Sequence, residues 1–218
     1  MSAPTRTRAV SLLLDPGSPN SIGMPSPPAG LVEHDLYDLP ELDLGSISGI
    51  NLASSCDQVF LGRHRDLLED FVRSGGRLLV NGHVAEPFLT GLVPWRRLSY
   101  KGPRDLEITS LSPHPIWEGI DLRDVLYRTG VPGPHSFEEL ERIGVAGFYG
   151  RGYHLPLPES GRAINGVGPL QAPIDYTYPL GSGEVVVHGG VDLITFVDPH
   201  RTTARLGENI LGWLEGTA

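Results

Sequence analysis

The chain has 218 residues, 39% of them hydrophobic, and a formal net charge of −9 from 26 acidic and 17 basic side chains. That length can bury a sizeable core, whereas the acidic balance, with no Lys/Arg block longer than two, repels phosphate backbones and argues against nucleic-acid binding. No apolar run approaches the roughly 20 residues that span a bilayer, and a single cysteine, Cys56, excludes an internal disulfide framework and a thiolate-rich zinc site; the expectation is one soluble cytoplasmic α/β domain over residues 1–218, with no membrane partner.

In chain order, Val10 to Leu14 reads as a first strand and Gly30 to His34 as a second. Between them the loop Asp15 to Ala29 holds five prolines, which argue against a regular crossover helix. Gln58 to Leu61 is a short apolar run read as a strand, followed by Asp66 to Arg73, where Leu67, Leu68, Phe71 and Val72 recur at helical spacing. Gly75-Gly76 supplies a left-handed stop, and Arg77 to Val80 starts a buried strand. A strand, helix, strand unit of this length joins parallel neighbours, so a parallel sheet is expected.

Further on, a strand is expected around Leu106-Glu107-Ile108 and a short helix over Ser136 to Ile143. Residues 144–180, rich in Gly, Pro and Tyr, read as hairpins or an irregular excursion from the main sheet. Gly183 to His188 is a β-prone run leaving a Gly-Ser-Gly turn. Leu206, Ile210, Leu211 and Leu214 mark a closing amphipathic helix.

Four of these stretches carry a resemblance. Asp57-Gln58-Val59-Phe60-Leu61, followed by Phe71-Val72-Arg73-Ser74-Gly75-Gly76-Arg77-Leu78-Leu79-Val80, resembles a block common in the class I glutamine amidotransferase-like superfamily. His114-Pro115-Ile116-Trp117-Glu118-Gly119-Ile120, Gly181-Ser182-Gly183-Glu184-Val185 and Asn209-Ile210-Leu211-Gly212-Trp213-Leu214 are similar to later elements of the same group, in the same order, and together the stretches cover well over half the chain. The resemblance implies a flavodoxin-like three-layer sandwich with a mostly parallel central sheet, and a ligand site at the carboxyl ends of the strands. It does not deliver an activity, since that superfamily holds glutaminases, proteases, sugar-metabolism proteins and catalytically silent domains.

Glutaminases of this type place a cysteine on a sharp turn between strand and helix and activate it with a histidine and a glutamate from an H-x-E sequence. The matching turn here, Asn81-Gly82-His83-Val84-Ala85-Glu86, has no cysteine, serine or threonine. Cys56, preceding the strand expected at Gln58, falls at the amino end of the sheet. His188 stands where the resemblance expects the catalytic histidine, but Gly190 occupies the glutamate position and the nearest carboxylate is Asp192.

The candidate catalytic groups are therefore His83, His188 and Glu86, the last placed to orient the His83 imidazole. Asp15, His64, Asn81, Gly82 and Asp192 are candidate binding residues, with the amides of Asn81-Gly82 facing an anion at a helix start. Helix capping and solvent-facing polarity are the bland alternative for the His83–Glu86 pair, and an Asx turn the alternative for Asp15. His114 reads as a loop-fixing histidine.

Asp15, His64, His83, His188 and Asp192 show no metal-binding spacing, and no glycine-rich stretch matches an ATP or dinucleotide fingerprint, so no metal and no cofactor is expected. The leading functional expectation is a noncanonical amidotransferase-like protein with a small-molecule pocket at the strand rim. The alternative is a catalytically silent binding or assembly module, engaging a protein partner or a second copy through Trp95, Trp117, Tyr149, Tyr153, Tyr176 and Tyr178. A histidine-assisted hydrolase or metal-dependent enzyme ranks lower, as does a glutaminase built on Cys56.

Overall fold

The computed structural model describes residues 6, 8–16, 28–128, 135–144 and 147–218. Most of the proline-rich loop expected between the first two strands lies outside the described residues. In chain order the elements are β1 (Arg8–Leu13), β2 (Val32–Asp35), β3 (Ile47–Leu52), α1 (Gln58–Arg63), α2 (Arg65–Arg73), β4 (Arg77–Asn81), β5 (Trp95–Arg97), β6 (Ile108–Ser110), β7 (Tyr127–Arg128), α3 (Phe137–Ile143), β8 (Gly147–Phe148), β9 (Gly152–His154), β10 (Arg162–Val167), β11 (Ala172–Leu180), β12 (Gly183–His188) and α4 (Leu206–Glu215).

Eight strands form one sheet in the order β2-β1-β3-β4-β12-β11-β10-β6. The neighbours from β2 through β12 run parallel, and β11, β10 and β6 extend the sheet antiparallel. The result is an α/β fold with a large, mostly parallel sheet. Alternation along each strand feeds two cores. Val10, Leu12, Leu78, Val80, Val185 and Val187 join Leu68, Phe71 and Val72 of α2 in one cluster. Ala9, Leu79 and Val186 join Ile210, Trp213 and Leu214 of α4 in the other. Each fully buried Leu, Val or Phe of these clusters contributes up to about 1.5–3 kcal/mol relative to exposure.

Three expectations are corrected. Gln58–Arg63 is helix, not strand, because Asp57 caps it by accepting a hydrogen bond from the Phe60 N–H at 2.9 Å. The strand in its place is Ile47–Leu52, fully buried along its length and disguised in sequence by the Ser, Gly and Asn that interrupt its apolar residues. Cys56 consequently follows the carboxyl end of β3 rather than the amino end of a strand.

The second correction concerns residues 144–180. They hold the hairpin β10–β11, which continues the main sheet antiparallel instead of leaving it, while β8 and β9 pair outside that sheet with β7 and β5. Third, no helix starts at Asn81-Gly82-His83; residues 82–94 form an irregular loop. The strand expected around Leu106 begins two residues later, at Ile108, after a short 3-10 turn. The helix expected at Ser136 to Ile143 is present, with a reciprocal Ser136–Glu139 capping box.

Candidate functional site

The parallel strands β3, β4 and β12 end on one edge, and the pairing register continues that edge into the antiparallel strands. Asn81 pairs with His188, His188 with Asp175, and Asp175 with Asn165, which sets four polar residues in a row across β4, β12, β11 and β10. All four are buried. Polar groups removed from water need partners; His188, Asp175 and Asn165 find them in one another, and Asn81 finds its own in neighbouring strands and turns.

Asp175 is the hub. Its Oδ1 lies 2.6 Å from His188 Nδ1, while Oδ2 accepts hydrogen bonds from the Tyr149 hydroxyl at 2.6 Å and the Asn165 amide at 2.7 Å. Tyr149 in turn accepts from the Trp117 indole N–H at 2.8 Å, so its hydroxyl is fixed from both sides. Burial, reinforced by the adjacent Asp175 charge, drives the Tyr149 hydroxyl well above its usual pKa and keeps it a donor. The His188 ring packs edge-on against Tyr149 with centroids 4.5 Å apart, and its Nε2 has no protein partner.

Beside this network lies a second buried imidazole. His154 Nδ1 donates to the Val93 carbonyl at 2.7 Å, its Nε2 also lacks a protein partner, and burial lowers its pKa to about 4. Both rings border Gly189-Gly190, where the backbone of Tyr149 passes so close that a Cβ on Gly190 would stand 1.7 Å from the Tyr149 carbonyl oxygen. Gly189 offers its carbonyl to the Trp95 indole N–H at 3.1 Å, and the exposed His83 ring stacks on Trp95 with centroids 3.8 Å apart. His83 is held below its ordinary pKa first by desolvation, then by the charges of Arg151 and His188. Trp95 thus stands between Gly189 and the exposed His83.

Of the expected catalytic residues, His188 and His83 fall in this region, while Glu86 does not join them. Glu86 is exposed, and its backbone N–H, together with that of Ala85, donates to Gln58 Oε1, while Gln58 Nε2 donates to the His83 carbonyl. The side chain that organises the His83 loop is therefore Gln58.

The expected binding residues divide further. Asn81 is tied internally to Asn51, to the Leu52 carbonyl and to the Leu193 N–H. Gly82, at φ +95°, spends its N–H on the His188 carbonyl at 3.0 Å, so it presents no amide to an anion. Asp192 accepts from the Ser54 N–H at 2.8 Å and the Ser54 hydroxyl at 2.6 Å, which clasps the turn after β3 to the turn after β12.

Asp15 is exposed at φ +57°, and His64 lies at the α1–α2 junction with its ring 4.4 Å from Phe60. No hydrogen bond among the described residues joins either to the network. His114 is buried and accepts from the Ile116 N–H, which is the loop-fixing role expected of it.

Cys56 sits on the carboxyl edge, but burial, strengthened by the charge of Asp192, pushes its thiol up to about 12. A thiol so held is not a nucleophile near neutrality. The aromatic anchors expected for an assembly surface are mostly interior: Trp117, Tyr149, Tyr176 and Tyr178 are buried.

Asp175, Asn165 and His154 are not singled out by the sequence, which offers Trp117 and Tyr149 only as surface anchors and not as members of this network. The available signal was Asp175 itself, a lone carboxylate inside the apolar and aromatic run Ile174 to Tyr178, which demands a partner if the run is a buried strand.

A cleft of about 610 Å³ opens elsewhere, lined in part by Glu107, Asp121, Arg123, Asp124, Glu138 and Arg201. Along it Asp121 pairs with Arg123, Asp124 accepts a hydrogen bond from the Thr202 hydroxyl, and Arg201 pairs with Asp198. Among the described residues no group of three or more His, Cys, Asp or Glu side chains is arranged to hold a metal, and no helix is long and apolar enough to cross a membrane.

No family model and no curated protein matches the chain. Among solved structures it is similar to the cytoplasmic protein STM1381 from Salmonella typhimurium LT2, at 15% identity and a TM-score of 0.40, over 77% of this chain and 72% of that one. It is also similar to Gan42B, a GH42 beta-galactosidase, at 12% identity and a TM-score of 0.36, over 84% of this chain and 27% of the other.

Proposed function

We propose that the chain is a noncanonical class I glutamine amidotransferase-like domain of flavodoxin-like type, which binds a small molecule at the carboxyl edge of its sheet and does not use a cysteine nucleophile. The strand order β2-β1-β3-β4-β12, all parallel, supports that architecture. The observation that carries the functional reading is the fully buried His188–Asp175 pair, fixed by Tyr149, Asn165 and Trp117, with His188 Nε2 left without a protein partner. Preorganising an imidazole this thoroughly is what a binding or proton-transferring site needs.

His83 and Trp95 form the exposed face of that site, and the His188 network its rigid floor. A fragment library screened by amide NMR should give saturable shifts around His83, Trp95 and Gly189 to Val191. These should be abolished in His83→Ala and His188→Gln variants that retain the native spectrum elsewhere. Retained binding in both variants would reject the site, and shifts confined to the cleft around Arg123 and Arg201 would relocate it.

A further inference from the structure

Building on the small-molecule site above, we infer that its ligand presents hydrogen-bond donors, from an amide, amine or hydroxyl group, to the Nε2 atoms of His154 and His188 beside Gly189-Gly190. Both rings are fully buried. Each has its Nδ1 committed to an acceptor, the Val93 carbonyl at 2.7 Å for His154 and the Asp175 carboxylate at 2.6 Å for His188. A carbonyl oxygen only accepts, so the His154 proton resides on Nδ1 and the neutral ring carries a lone pair on Nε2. Burial keeps that ring neutral down to about pH 4. A neutral His188 donating from Nδ1 to Asp175 has the same tautomer.

Both Nε2 atoms lie against one dipeptide. A Cβ built on Gly189 would stand 2.9 Å from His154 Nε2, and one on Gly190 would stand 2.7 Å from His188 Nε2. Gly189 cannot satisfy them, because its own N–H is spent on the Ile174 carbonyl at 2.9 Å. Among the described residues no atom pairs with either nitrogen. A buried acceptor without a partner favours a ligand bearing N–H or O–H groups and disfavours a carboxylate, whose oxygens bring only further lone pairs. A metal ion would also take imidazole lone pairs, but no third ligand among the described residues completes a set. The Trp95 indole donates to the Gly189 carbonyl, and the exposed His83 ring is stacked on it.

The test uses the intact wild-type protein labelled with 15N-histidine, followed by long-range 1H–15N spectra during titration with acetamide, urea and acetate. Acetamide and urea should move the Nε2 resonances of His154 and His188 upfield, saturably, with acetate leaving them in place. Equal or larger shifts with acetate, or no response to any of the three, would overturn the donor assignment. So would loss of both resonances on zinc addition at stoichiometric concentration. If fragments still bind at His83 while both Nε2 signals stay fixed, the small-molecule reading stands and the donor assignment alone fails.

Discussion

At Asp175, three donors meet one carboxylate in a place with no access to water. Removing its charge leaves the Tyr149 hydroxyl, the Asn165 amide and His188 Nδ1 competing for a weaker acceptor. Asp175→Asn should therefore cost about 1–3 kcal/mol of stability in urea unfolding, the range for leaving buried hydrogen-bonding groups short of a partner. Tyr149→Phe removes one donor to Asp175 and the acceptor of Trp117, and should cost about 1–3 kcal/mol. His114 and His154 are both held by burial at about 4, below the ordinary 6.5. Between those values the unfolded chain binds protons that the fold refuses, so stability rises with pH through the window. It should be fully present above about 6.5 and fall by roughly 3 kcal/mol per histidine as pH drops toward 4. Urea midpoints measured across that range should show the fall, and His154→Gln should remove about half of it, leaving the share of His114.

At the scale of elements, the sequence discloses whatever announces itself locally. The α2–β4 unit is legible from helical spacing closed by a double glycine, and β12 from its run of valines after a turn. β3 is not, because its Ser, Gly and Asn are buried by position in the centre of the sheet rather than by their own hydrophobicity, and the apolar run of α1 after it looks more like a strand. That one displacement moves Cys56 to the wrong edge. His188 and His83 are legible as residues following strands, whereas Asp175, Asn165 and Tyr149 reach the site only through antiparallel pairing and loop return, which no local pattern encodes.

Glycines separate into two kinds on the same physical ground. A Cβ added to Gly62, within α1, would meet nothing within 4 Å, so Gly62→Ala should stabilise the protein by about 0.5–1 kcal/mol. A Cβ on Gly190 would meet the Tyr149 carbonyl oxygen at 1.7 Å, so Gly190→Ala should cost about 1–3 kcal/mol or more and broaden the His188 signals. Thermal or urea unfolding of the two variants side by side reads both signs.

For the whole molecule, the sheet gathers its polar side chains on one edge, and the lone thiol shares that edge without sharing the chemistry. Cys56 is protonated near neutrality, next to Asp192 rather than within the imidazole network. Wild-type protein should release no ammonia from glutamine, and Cys56→Ala should leave small-molecule binding at the His83 face unchanged; ammonia release abolished by that substitution would restore a cysteine mechanism. The site depends on His188 being held by Asp175 through Nδ1. A long-range 1H–15N spectrum of the free protein measures this most directly. We predict a His188 ring protonated at Nδ1, with a hydrogen-bonded proton that is lost or weakened in Asp175→Asn and intact in Cys56→Ala. A ring protonated only at Nε2, or one indifferent to the loss of the Asp175 charge, would contradict it.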